Sequence, residues 1–268
     1  MTQAIIIYAC MAAIGILAPI ILLIIWQKKT KKSIRPAIMG AAMFFVFAIV
    51  LESIPKMILL NPNTALGQSI INHTWDYIII GALLAGLFEE TGRLVAFKYL
   101  LKNNTDRQTA ISYGIGHGGF EVMFTMGVGG FLYLVYSIFI QAGLFDQLVG
   151  AMASSNPEQA AMLNTLPATL ASTSFLTLAY SVLERVSAVF IHIACSILVF
   201  KAVRCKGNMW LYSLAIVLHT VVDMIAVSYQ VGIITNLFVV ELIILLWAIS
   251  FFMIVYKKVY KKLPEIVE

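Results

Sequence analysis

Charge is scarce in this chain. Lysine, arginine, aspartate and glutamate supply 12% of its 268 residues, about half the share usual in a soluble domain. Apolar residues reach 61%, and the mean hydropathy is +0.93. A chain of this size cannot hide so much apolar surface inside one water-facing globule, so a soluble enzyme is excluded and an integral membrane protein is expected. Cysteine is scarce too. Cys10, Cys195 and Cys205 are odd in number and far apart, which excludes a disulfide framework and any Cys-x-x-Cys metal or redox site. No internal repeat is visible, nor a matching pair of Pro/Gly-interrupted spans such as inverted-repeat transporters carry. The opening Met1-Thr2-Gln3-Ala4 lacks the basic region of a signal peptide, and the apolar run behind it is too long for one. That run is expected to be a retained span.

Long apolar runs fall at roughly 4–26, 37–60, 76–101, 108–141, 168–203, 209–227 and 233–256. Each is long enough to cross a hydrocarbon core of about 30 Å, which predicts an all-α, polytopic bundle of seven transmembrane helices. Fifteen of the 18 basic residues lie in alternate connections: Lys28, Lys29, Lys31, Lys32 and Arg35; Lys98, Lys102 and Arg107; Lys201, Arg204 and Lys206; Lys257, Lys258, Lys261 and Lys262. The positive-inside rule then puts the amino terminus outside and the carboxyl terminus in the cytoplasm. The net charge of +5 reports topology and lipid headgroup contact, and no nucleic-acid partner is expected. A single membrane domain is predicted, with two peripheral spans in 1–75, a four-span core in 76–227, and a final span with a basic tail in 228–268. Residues 142–166, with Ser154, Ser155, Asn156 and Pro157, read as one long outer loop. Pro167 and the stretch Ala171-Ser172-Thr173-Ser174 predict a short outer helix before a span over about 179–203.

An ionisable residue near the middle of a membrane helix costs about 2.5–3.5 kcal/mol on insertion scales, so each one kept there needs a partner, water or a task. Here such residues gather in spans three to six: Glu89, Glu90 and Arg93; His117 and Glu121; Glu184, Arg185 and His192; His219 and Asp223. Spans two and seven hold one each, Glu52 and Glu241, which read as structural or interfacial. Glu89, His117, His192 and His219 stand 13, 10, 12 and 13 residues from the nearest cytoplasmic cation. At a rise of about 1.5 Å per residue they share one layer, about 15–20 Å from that boundary. Spacings of three and four bring Glu89 and Glu90 to Arg93, His117 to Glu121, and His219 to Asp223. Gly81, Ala82, Ala85 and Gly86, with Gly114, Gly116, Gly118 and Gly119, let helices approach closely around them. The glycines about His117 lie inside a span with no strand before them, so they are no dinucleotide loop.

In order along the chain, Glu89-Glu90-Thr91-Gly92-Arg93, Tyr113-x-x-x-His117, His192 and His219-x-x-x-Asp223 resemble the motifs of the type II CAAX-protease and bacteriocin-processing superfamily of intramembrane proteases. Gly-His-Gly-Gly-Phe-Glu at 116–121 and Glu184-Arg185 ahead of His192 are most similar to its bacterial YhfC branch. The resemblance implies a multi-pass protease of the bacterial cytoplasmic membrane that hydrolyses peptide bonds of membrane-embedded or lipid-modified substrates. It implies Glu89 as general base, His117 holding the water, and His219 with Asp223 on the oxyanion side, with His192 serving either. Glu90, Arg93, Glu121, Glu184 and Arg185 are supporting residues. Three histidines and a glutamate are also a ligand set for zinc, namely Glu89, His117, His192 and His219. The absence of His-Glu-x-x-His favours metal-free glutamic catalysis with no cofactor. The alternatives are a proton-coupled transporter, which would stagger its Glu/His groups along a path, and a non-catalytic scaffold that binds helices through small-residue faces.

Overall fold

The computed structural model describes residues 1–155 and 157–266. They are helical, with no strand among the described residues beyond an isolated bridge between Asp106 and Ile266. Helix α1 spans Thr2–Thr30, α2 Arg35–Leu59, α3 Ala65–Asn72 and α4 Thr74–Val95, which runs on through a π-helical stretch, Ala96–Leu100. Next come α5 over Gln108–Gln141 and three short helices, α6 Phe145–Ala153, α7 Pro157–Leu163 and α8 Leu166–Ala171. The chain closes with α9 Phe175–Arg204, α10 Trp210–Gln230 and α11 Leu237–Lys258.

Among the described residues, six helices are long and apolar enough to cross a membrane: α1, α2, α5, α9, α10 and α11 with its following turn. Seven were expected. The seventh is α4, which has the length but carries Asp76, Glu89, Glu90 and Arg93, with Lys98 in its extension. Its polar load is the candidate site itself, so α4 departs from an ordinary span through composition rather than geometry. Two more expectations change. The outer loop at 142–166 is largely helical, as α6 and α7, with Asn156 outside the described residues. The short outer helix before the fifth span exists as α8, but α9 starts at Phe175, since Ser174 and Thr177 cap its first turn through their hydroxyls and backbone.

The described chain divides into two compact units. The first comprises Met1–Pro19 and Val122–Arg185. Within it, a Cβ on Gly15 would stand 2.4 Å from the Gly127 nitrogen, so α1 and α5 touch backbone to backbone there. Tyr8 packs on Tyr133 at 5.2 Å between ring centres and shares a 3.2 Å hydrogen bond with Thr173.

The second unit runs over Ile20–Glu121 and from Val186 onward, and it holds the polar layer. Residues 191–200 of α9 are all buried, which makes α9 its central helix. Small residues set the helix spacing. A Cβ on Gly116 would fall 1.9 Å from the Ala37 carbonyl oxygen, one on Gly114 2.6 Å from Ile193 Cα, and one on Gly86 2.5 Å from Thr220 Oγ1. Glycine there lets α5 lie against α2 and α9, and α4 against α10, closer than any side chain would allow. The basic residues gather at one end. Arg35 and Arg204 donate to the carbonyls of Leu100 and Leu101, at 3.0 and 2.6 Å, where the extension of α4 ends. Arg107 donates to the Leu263 carbonyl at 3.1 Å, and its backbone N–H to that of Glu265 at 3.0 Å.

Candidate functional site

Glu89, Glu90 and Arg93 occupy consecutive turns of α4 and are all buried. His117 comes from α5, His192 from α9, and His219 with Asp223 from α10. The shared layer expected from residue counting is thus a shared place. Imidazole centres are 4.9 Å apart for His117 and His192, and 5.5 Å apart for His192 and His219.

At its middle is Glu89 Oε2. His117 Nε2 lies 2.9 Å from it, His192 Nδ1 3.8 Å and His219 Nε2 3.9 Å. Each of the latter two rings has its other nitrogen held by a carboxylate. His192 Nε2 meets Glu121 Oε2 in a short contact, and His219 Nδ1 meets Glu90 Oε1 at 2.8 Å. A neutral imidazole donates from one nitrogen and accepts at the other. With both rings neutral, the partners put the protons on His192 Nε2 and His219 Nδ1, and the bare nitrogens face Glu89. Arg93 pairs closely with Glu90, approaches Glu89 Oε2 to 3.8 Å, and donates to His192 Nδ1 at 2.5 Å. Asp223 Oδ2 is 3.6 Å from His219 Nε2.

Asp223, expected on the oxyanion side with His219, lies beside its Nε2, and the carboxylate on His219 Nδ1 is Glu90. Glu184 and Arg185 fall in the other unit, paired with each other, with Arg185 donating to Thr125 Oγ1 at 3.1 Å. Tyr113, from the second motif, is fully buried against Phe97 and His117. Cys195 was set aside as scattered. It stands three residues after His192 on the same face of α9, and its sulfur forms a second close donor group with Glu90 and His219. That i, i+3 spacing was the signal for it in the sequence.

The donor atoms of Glu89, His192 and His219 all lie within 4.8 Å of one another. Around zinc at about 2.0–2.1 Å, tetrahedral geometry separates nitrogen and oxygen ligands by about 3.3–3.5 Å, so the observed 3.8 and 3.9 Å are close to that spacing. His117, expected in a zinc set, is outside this group and is hydrogen-bonded to Glu89 instead. Charge favours a cation as well. Glu89 and Glu90 share the guanidinium of Arg93, which pairs closely with Glu90 and reaches Glu89 only at 3.8 Å, and a buried carboxylate short of counter-charge is costly. Carboxylates on the outward nitrogens of two histidines are the usual supporting shell of a metal site. The Arg93 bond to His192 Nδ1 occupies one of the lone pairs such an ion would use, and Arg93 is paired with Glu90 as well.

A family described as YhfC intramembrane metalloprotease matches residues 14–244 of this chain. The chain belongs to the YhfC family. A relative from Bacillus subtilis (strain 168), described as uncharacterized membrane protein YhfC, is 33% identical over 258 residues, covering 96% of this chain and 97% of its own. No solved structure matches. The YhfC description carries protease activity in the membrane and names a metal, so the expectation of catalysis without a cofactor is revised. The four polar helices that carry the motifs all lie inside the matched region.

Proposed function

We propose that this protein is a metal-dependent intramembrane endopeptidase whose ion is held by Glu89, His192 and His219. One observation carries the reading. Two histidines, each fixed by a carboxylate on its far nitrogen, aim their bare nitrogens at the same oxygen of Glu89. A divalent cation bound there supplies Lewis acidity toward water and the scissile carbonyl.

The chain's own residues do the rest. His117 donates to Glu89 and holds the carboxylate in place. Glu121 and Glu90 fix the tautomers of His192 and His219. Arg93 neutralises Glu90, which leaves Glu89 as the carboxylate open to a ligand. With Glu89 so engaged, the general base becomes Asp223. It is beside His219 Nε2 and is the most exposed carboxylate of the layer, so it is placed to take a proton from attacking water and return it to the leaving amine. Substrates are membrane-embedded or membrane-associated polypeptides, which meet the site within the bilayer. The convergence of the ionisable groups on one point disfavours a transporter, which needs them staggered.

The metal-free alternative, with Glu89 as base, draws support from the Arg93–His192 bond. Metal analysis and cleavage assays on protein reconstituted in liposomes separate the two. Wild type should retain one divalent ion per chain and cleave membrane substrates until a chelator is added. Glu89→Gln and His219→Ala should lose both ion and cleavage, and Asp223→Asn should lose cleavage alone. Full cleavage in metal-stripped protein would reject the metal reading, and cleavage untouched by all three changes would reject the site.

A further inference from the structure

Within the second unit, a cavity of about 330 Å³ opens beside the polar layer. One wall is α4, with Tyr77, Gly81 and Ala85 four residues apart and hence on one face. The opposite wall is α10, from Gln230 at its end inward to Asp223, and the end of α2 adds Lys56. From Gln230 to Asp223 is about 10 Å along the helix. Tyr77 and Gln230 stand at the helix ends opposite the basic connections, so the cavity leads from the non-cytoplasmic side to Asp223. Exposure of the side chains falls in the same direction, from 30% at Asp223 to 10% at Glu89 and 5% at His219. At Gly81 a Cβ would meet no atom within 4 Å, so the wall there faces open space. Lys56 is tied to the buried Glu52 yet keeps 43% of its side chain exposed.

We propose that this cavity takes in the substrate as an extended polypeptide segment from the non-cytoplasmic side, with glycine, alanine or serine next to the bond to be cut. The inference rests on the peptidase reading. A helix is about 10–12 Å across and does not fit. An extended segment does, and its unpaired backbone groups need polar partners in the membrane, which Tyr77, Gln230, Lys56 and Asp223 offer. A cavity of about 330 Å³ holds a short extended backbone with small side chains, and Gly81 and Ala85 put no bulky side chain in its way.

The test uses the full chain carrying Gly81→Cys in right-side-out and inverted membrane vesicles. The probe is a cationic, membrane-impermeant methanethiosulfonate, with wild-type labelling of Cys10, Cys195 and Cys205 as baseline. Labelling of the new thiol is expected to be about tenfold faster from the outer side, and a soluble Gly/Ala/Ser peptide should slow it where a Phe/Tyr/Lys peptide of equal length does not. In a second arm, Gly81→Trp fills the cavity. It should keep the bound ion and the unfolding temperature of wild type while cutting hydrolysis of an internally quenched Gly/Ala/Ser peptide about tenfold. Labelling that is faster from the cytoplasmic side, or absent from both, overturns the proposal, as does wild-type hydrolysis by Gly81→Trp. One-sided, peptide-protected labelling of a protein that binds no ion and cuts nothing would instead remove the peptidase reading and leave the access route standing.

Discussion

Arg93 is the residue on which the buried charges depend, since it contacts Glu90, Glu89 and His192 at once. Removing one member of a buried ion pair leaves the other uncompensated, at a cost of roughly 3–5 kcal/mol. Arg93→Ala is therefore expected to lower the thermal unfolding midpoint of the detergent-solubilised protein far more than Arg35→Ala, whose guanidinium is exposed and makes one carbonyl contact. Glu121 acts through His192. Glu121→Gln should leave the fold intact and weaken metal retention about 10–100-fold, which a competition titration against a chelator measures. The members of the site were legible in the sequence because a charged residue in a span is conspicuous. Their partners were not. Helical spacing joins His219 to Asp223, but His219 Nδ1 donates its hydrogen bond to Glu90 on another helix. That pairing is fixed by how α4 and α10 rotate against each other at Gly86 and Thr220. No pattern within either helix encodes it.

At the scale of elements, glycine has two opposite meanings. Gly116 lies where α5 meets the backbone of α2, and Gly81 faces the cavity. Gly116→Ala should destabilise by about 1–3 kcal/mol through forced separation of the helices. Gly81→Ala should be neutral or slightly stabilising, because alanine is the better helix former. Thermal unfolding of the two variants side by side checks this, and equal behaviour would contradict the packing described here. The sequence marked both glycines as small, and it could not distinguish contact from open space. It placed the apolar helices to within a few residues because runs of that length have few other structures open to them. It missed α6 and α7, because Ser154, Ser155, Asn156 and Pro157 at their junction read as turn, and helices of nine and seven residues are too short for a helical period to show.

For the whole molecule, the arrangement of lysines and arginines predicts an external amino terminus and a cytoplasmic carboxyl terminus. A protease-cleavable tag appended after Glu268 should be removed in inverted vesicles and protected in right-side-out ones. The Arg107 contacts then acquire a meaning in time. Arg107 is synthesised before α9, α10 and α11, yet its carbonyl partners at Leu263 and Glu265 emerge after all three. A cation that the positive-inside pattern assigns to orienting the early spans is used again, once the last span is in place, to fasten that end of the bundle. That end of the bundle is completed only after α11 has been made.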